Sequence, residues 1–293
     1  MSYYNCEWIN SNIAEVIDAN NDYYLLAPIK EMNTIYRYAI CIKDNNRKFK
    51  LVCPSINKFI ESNLFLKNNL DYKKLFVEEL IDGFEINLFF DENHNLIIFT
   101  DKSIGGFNKY SNNMVTTSYR EMFISVCEHF KIDLTKLEKD YCYSFIIQHP
   151  FYESVTKLKP AIYLISTFDR SKYNYNFEHN FTFYRGNNKN YQEQISFPNE
   201  IGFRNENTLT FYDEDDENNI QKYNPLDFLI KEWSNKLPHI VHASDVKERN
   251  EYRHHYGEMG IVIYNPETGM RMNIINPHYL YTKQRIMYEN SRF

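Results

Sequence analysis

Glu78-Glu79-Leu80-Ile81-Asp82-Gly83-Phe84-Glu85-Ile86-Asn87-Leu88-Phe89-Phe90 sets an Asp-Gly turn signal directly before a run of aromatic and branched apolar residues. Asp tolerates, and Gly supplies, the backbone angles that a turn needs, so the chain should bend at Asp82-Gly83 and leave as a strand. That strand meets a second apolar run, Leu96 to Thr100, across the polar residues Asp91 to Asn95, which reads as a hairpin. The same pattern stands on either side. Tyr36 to Ser55 reads as a hairpin over Asp44-Asn45-Asn46, and Gly260 to Ile275 as another over Asn265 to Gly269. Cys142 to Ile147 and Ala161 to Phe168 add two apolar strands.

Helical spacing is found elsewhere. Trp8, Ile9, Ile13, Val16 and Ile17 predict a helix over residues 7–18, and Met122, Phe123, Val126 and Phe130 predict one behind a Thr116 or Ser118 cap. Asn224-Pro225 opens a further helix to about Lys236, and Pro277 to Tyr288 closes the chain as a helix. The expected class is α+β, with central antiparallel sheets flanked by helices. No repeat and no Gly/Ser/Pro linker divides residues 1–293, so a single domain is expected, with a helical appendage at 220–240 and a C-terminal helix at 277–290.

Composition narrows the function classes. A 293-residue chain with 43% apolar residues can bury a sizeable core, and a net charge of -6 excludes a protein that coats DNA or RNA through many Lys/Arg contacts. The five cysteines are scattered without a C-x-x-C pair, which points to a reducing compartment and away from a zinc ribbon. The polar N-terminus is unlike a signal peptide and no stretch has the length of a membrane span, so a cytoplasmic protein without membrane contact is expected. His239, His242, His254 and His255 lack a Cys or paired carboxylate at ligand spacing, so no metal site is predicted.

Several stretches resemble the motifs of RNA ligases of the covalent nucleotidyltransferase superfamily, in the same order. They are Tyr36–Phe59 ending CPSINKF, then EELIDGFEINLFF with FTDKSIGG (99–106), YCYSFIIQHP (141–150) with AIYLIST (161–167), and MGIVIYNPETGMRMNIINPHY (259–279). The chain is also similar to uncharacterised ligase-like proteins of giant DNA viruses. The resemblance implies a nucleotidyltransferase-like fold, and a site in the host cytoplasm or a viral factory with a viral protein complex as partner.

It also implies where the chemistry should be, and there the side chains differ. The nucleophilic lysine falls at Leu80, and leucine cannot form a phosphoramide. Lys73 and Lys74 stand six or more residues upstream, roughly 20 Å along a strand. The glutamate expected after Phe145 is Ile146, the one expected before Gly260 is Met259 with Glu258 out of phase, and the phosphate-binding lysine is Asn273. The expectation is a catalytically inactive, RNA-ligase-like protein that needs no cofactor. It would hold RNA, a nucleotide or an mRNA cap in a cleft lined by Arg37, Leu80, Asp82, Gly83, Lys102, Phe145, Ile146, Met259, Arg271 and Asn273. Arg120 is a further phosphate-binding candidate, and Trp8 and Trp233 are candidates for base stacking. Two alternatives stay open: a scaffold subunit contacting a protein, and an active ligase using an unrecognised lysine such as Lys102.

Overall fold

The computed structural model describes residues 9, 14–29, 36–68, 75–112, 115–170, 259–265 and 268–290. Strands β1 (Ala14–Ala19), β2 (Tyr24–Pro28), β3 (Ala39–Lys43) and β4 (Phe49–Pro54) form an antiparallel sheet in chain order. The helix expected over 7–18 is therefore not what Ala14–Ala19 forms. Val16 is 47% and Ile17 38% exposed, so their spacing marks no buried helix face, and these β-branched residues join the ladder with β2 instead.

A short helix α1 (Ser62–Asn68) leads to β5 (Phe76–Glu79), after which β6 (Phe84–Phe90) and β7 (Leu96–Phe99) make the expected hairpin. Asp44 and Asp91 close the β3–β4 and β6–β7 turns in the same way. Asp44 Oδ1 accepts from the amides of Asn46 and Lys48, both at 2.9 Å. Asp91 Oδ1 accepts from those of Asn93 and Asn95 at 2.8 and 2.7 Å. A two-stranded ribbon, β8 (Lys109–Ser111) and β9 (Thr116–Ser118), then delivers the chain to helix α2 (Tyr119–Phe130). Ser118 caps that helix: its Oγ accepts from Glu121 N at 3.1 Å, while Glu121 returns a carboxylate to Ser118 N at 2.7 Å.

The expected strands β10 (Tyr141–Gln148) and β11 (Ala161–Asp169) follow and complete an antiparallel sheet of order β11-β10-β6-β7. The last hairpin, β12 (Gly260–Tyr264) and β13 (Arg271–Ile275), pairs with β5 to make a third sheet, and α3 (Pro277–Asn290) ends the described chain. Antiparallel sheets with a few helices make the fold α+β. The expected helices near 220–240 lie outside the described residues. Among the described residues no helix is long and apolar enough to cross a membrane.

The β6-bearing sheet is covered on both faces, which explains the nearly unbroken apolar run in FEINLFF. Ile86, Leu88, Phe145, Ile147, Ile162 and Leu164 pack under Met122, Phe123, Val126 and Cys127 of α2. Phe89, Phe99 and Cys142 meet Leu25, Ile40 and Cys53 of the first sheet on the other side. Phe123 is fully buried against Phe145, ring centroids 6.4 Å apart. Phe123→Ala should therefore cost about 3–5 kcal/mol in urea unfolding; a loss of only about 0.5 kcal/mol, typical of a surface position, would refute this core.

His149 gives the fold a pH dependence. Its Nδ1 accepts from Phe151 N at 3.1 Å, its Nε2 lies 3.1 Å from Ser125 Oγ, and burial holds its pKa below the ordinary value. The unfolded chain then binds the proton more readily, so stability present above about pH 6.5 should fall as pH drops toward the depressed folded value. Urea titrations between pH 7.5 and 5 should show a shallower fall in His149→Gln than in the parent, and equal slopes would remove His149 as the cause.

Candidate functional site

Leu80 to Gly83 is where the chain leaves the third sheet for the second. Leu80 N–H donates to Gly260 O at 2.9 Å, extending the β5–β12 pairing, and four residues later Phe84 is already paired with Ile147. Gly83 makes this passage possible, because a Cβ there would run into the carbonyl oxygen of Ile147 and the side chain of Ile146.

Asp82 is held by more distant segments. Its buried carboxylate accepts from Ser154 Oγ and Tyr279 OH, and Lys283 Nζ stands 3.3 Å away. Lys283 also donates to Tyr279 OH at 3.2 Å, and Gln148 Nε2 takes the main-chain carbonyl of Asp82 at 3.0 Å. Burial, then the adjoining carboxylate, pushes the Tyr279 phenol well above its ordinary value, so this tyrosine is a fixed donor. The resemblance assigned Asp82 to the ligand cleft; the structure makes it the anchor of α3.

Strand register sets which of these side chains share a face. Residues opposite one another share a face. Glu85 pairs with Ile146, and Ile146 with Tyr163, giving one row across β6, β10 and β11; Asn87, Ser144 and Ser166 give the next. On the third sheet Ile261, Ile263 and Met272 pack on Phe65 of α1, which leaves Glu78, Val262, Tyr264, Arg271 and Asn273 on the other face. Arg271 responds electrostatically to Glu78, Glu85 and Arg37, so that face is turned toward Glu85.

Glu85 is the centre of the polar groups. Its carboxylate accepts from Tyr38 OH at 2.7 Å, Asn87 Nδ2 at 2.9 Å and Ile56 N at 3.2 Å, and pairs with Arg37 at 3.1 Å. Asn87 accepts from Ser144 Oγ at 2.5 Å, and Tyr38 has its phenol raised by burial and by Glu85. The Arg37 side chain is 52% exposed, so its ion pair adds little to stability and the guanidinium remains open to a ligand. Arg271 lies 4.8 Å over the Phe59 ring and donates to Asn57 O at 3.4 Å. Burial lowers its pKa, against the pull of Glu78 and Glu85. Asn57 gives its Nδ2 to Gly269 O at 2.5 Å, while its buried Oδ1 has no hydrogen-bond partner among the described residues.

Arg37 and Arg271 thus both act on Glu85, Ile146 lies opposite Glu85 in the ladder, Asn273 follows Arg271 on its face, and Leu80 lies buried on β5's continuation. Met259 is half-buried at the start of β12, its carbonyl accepting from Asn276 N at 2.9 Å. Phe145 is a correction: it alternates with Ile146, is fully buried under α2 and lines no cleft. Lys102 is exposed on the turn after β7, and the Arg120 guanidinium is engaged by Gly105 O at 3.2 Å and the Phe107 ring at 5.5 Å. Trp8, Trp233, Lys73, Lys74, Glu258 and the histidines from His239 to His255 lie outside the described residues.

Sequence reasoning passed over Glu85, Asn87, Tyr38, Asn57, Ser154, Tyr279 and Lys283. The alternation of Glu85 and Asn87 inside an apolar strand was the available signal for a polar face. No group of three or more His, Cys, Asp or Glu positioned for a metal occurs among the described residues. A separate cavity of about 450 Å³, lined by Tyr23, Asp91, Phe168 and Arg170, opens at the far end of β6 and contains none of the predicted residues.

No protein-family profile and no curated protein matches the chain. Among solved structures it is similar to an archaeal ATP-dependent RNA ligase in two forms. Form 1 gives a TM-score of 0.43 at 8% identity over 91% of this chain and 59% of that one. Form 2 gives 0.45 at 8% identity over 92% and 59%. The chain spans about three fifths of the length of these structures.

Because the Asp82 carboxylate serves three side chains, Asp82→Ala should cost about 3 kcal/mol by leaving buried donors unpaired. Asp82→Asn, which keeps an acceptor oxygen, should cost less. Thermal unfolding of both variants tests this, and equal stability of Asp82→Ala and parent would show that α3 is held by other contacts.

Proposed function

We propose that this chain binds an RNA end, a nucleotide or an mRNA cap in the groove between its second and third sheets, without transferring a nucleotidyl group. The observation that carries the reading is Leu80. It occupies the position where the resemblance puts the nucleophilic lysine, and it is buried with its backbone fixed to Gly260. Covalent transfer needs an amine lone pair directed at an α-phosphate, and a leucine side chain has none.

The surrounding groups support recognition. Two guanidiniums, on Arg37 and Arg271, face the carboxylates of Glu78 and Glu85, so the groove has little net charge and does not draw polyphosphate by charge alone. The half-exposed Arg37 guanidinium suits a single phosphate.

One observation favours the ligase alternative: a lysine amine, Lys283 Nζ, does stand at the Asp82 turn. Its amine is engaged by the Asp82 carboxylate at 3.3 Å and the Tyr279 hydroxyl at 3.2 Å. Labelled ATP and GTP with Mg or Mn, followed by a denaturing gel, should leave the protein unlabelled. The same nucleotides, a cap analogue and a short RNA should raise its melting temperature, a ligand at 100 times its Kd adding about 2.7 kcal/mol. Arg37→Gln should weaken that binding about tenfold. A covalent label lost in Lys283→Ala would replace this reading with the ligase one. Neither label nor shift would leave the scaffold.

A further inference from the structure

The turn between β7 and β8 holds an aromatic ring out in solvent. Phe107 is 65% exposed. A single exposed aromatic is ordinary, but the seat of this one is built. Gly105 and Gly106 have φ of +93° and +71°, in the left-handed region, and a Cβ on Gly105 would run into the Phe107 ring. Phe107 N–H donates to Ser103 Oγ at 3.2 Å, and Ile104 N–H to Asp18 Oδ2 at 2.7 Å, which fastens the turn to β1. Arg120 reaches from α2, donating to Gly105 O at 3.2 Å with its guanidinium carbon 5.5 Å from the ring centroid.

The turn also has a definite place relative to the groove. Asp101, at the tip of this turn, acts electrostatically on Tyr38, whose phenol donates to Glu85 at 2.7 Å. Lys102 and Lys109, both exposed, stand on either side of the ring in sequence.

We propose that Phe107, backed by Arg120 and flanked by Lys102 and Lys109, is a stacking platform for one base of a single-stranded RNA whose end lies in the groove. This rests on the groove reading above. A flat ring already fixed in place loses little freedom when a base stacks on it, and the guanidinium behind it adds a cation–π contribution. A protein anchor would instead want an apolar surround, and the groups packed against this ring are a glycine and a guanidinium. Asp101 offsets part of the local positive charge, so stacking supplies more of the contact than phosphate attraction does.

The test compares the full chain with Phe107→Ala, Phe107→Leu and Phe107→Tyr, using a fluorescent ribodecamer by anisotropy and GTP by thermal shift. Phe107→Ala and Phe107→Leu should both weaken decamer binding about tenfold, Phe107→Tyr should stay within about twofold of the parent, and GTP should stabilise all four chains equally. If decamer affinity is unchanged in Phe107→Ala while Arg37→Gln weakens both ligands, the groove stands and the platform is wrong. Equal binding by the Leu and Tyr variants would mean an apolar contact of the protein-docking kind and overturn the stacking proposal. Failure of the parent chain to bind either ligand removes the groove reading and the platform together.

Discussion

The carboxylate of Asp82 is buried, and a carboxylate out of water is tolerated only where donors replace the water it lost. Here the donors are Ser154, Tyr279 and Lys283, which belong to the β10–β11 loop and to α3. The turn that separates β5 from β6 is thereby tied to two segments remote in sequence. Gln148 holds the adjacent carbonyl and Gly83 presses against Ile147, so the backbone has no freedom to relax the angle between the strands. β5 departs to pair with β12 and β6 to pair with β10. The separation of the two sheets follows from how this one turn is held.

Within the groove the electrostatics are balanced, and that balance limits what the site can do. Arg271 is desolvated, which is unfavourable for its charge, and Glu78 and Glu85 oppose the penalty. Arg37 shares Glu85 from the solvent side. A polyanion entering such a site gains attraction from two cations and meets repulsion from two carboxylates, so shape and hydrogen-bond pattern decide binding more than charge does. Asn57 Oδ1 is buried without a donor among the described residues, an uncompensated polar atom whose cost the surrounding contacts offset.

Much of the fold was legible because its signals are local. Asx-type turns at Asp44 and Asp91, the capping box at Ser118 and the apolar stripe of α2 are each written within about ten residues. The helix expected over 7–18 failed where the signal was non-local: pairing with β2 decided the state of Ala14–Ala19, and the helical spacing of Val16 and Ile17 corresponded to no buried face. At the candidate site, Leu80 and Ile146 were singled out by motif order, and Arg37 and Arg271 as cations able to meet a phosphate. Phe145 was misplaced because motif order does not say which face of a strand a residue takes. Ser154, Tyr279 and Lys283 lie 72 to 201 residues from Asp82, and no local pattern announces such a meeting.

The polar row inside β6 is a second constraint on how the sheets are arranged. Glu85 and Asn87 interrupt an apolar strand, and their partners Tyr38 and Ser144 are themselves buried. A buried network of this kind is weak as a source of stability, since apolar residues of similar volume often serve as well or better. Its effect is geometric: with Tyr38, Ile56, Asn87 and Arg37 all directed at one carboxylate, the first sheet, the second sheet and the Arg37 guanidinium have one relative arrangement. A chain selected for folding alone could fill both positions with apolar side chains. Here the half-exposed Arg37 stands over a carboxylate fixed by Tyr38, Ile56 and Asn87, an arrangement that folding alone does not require.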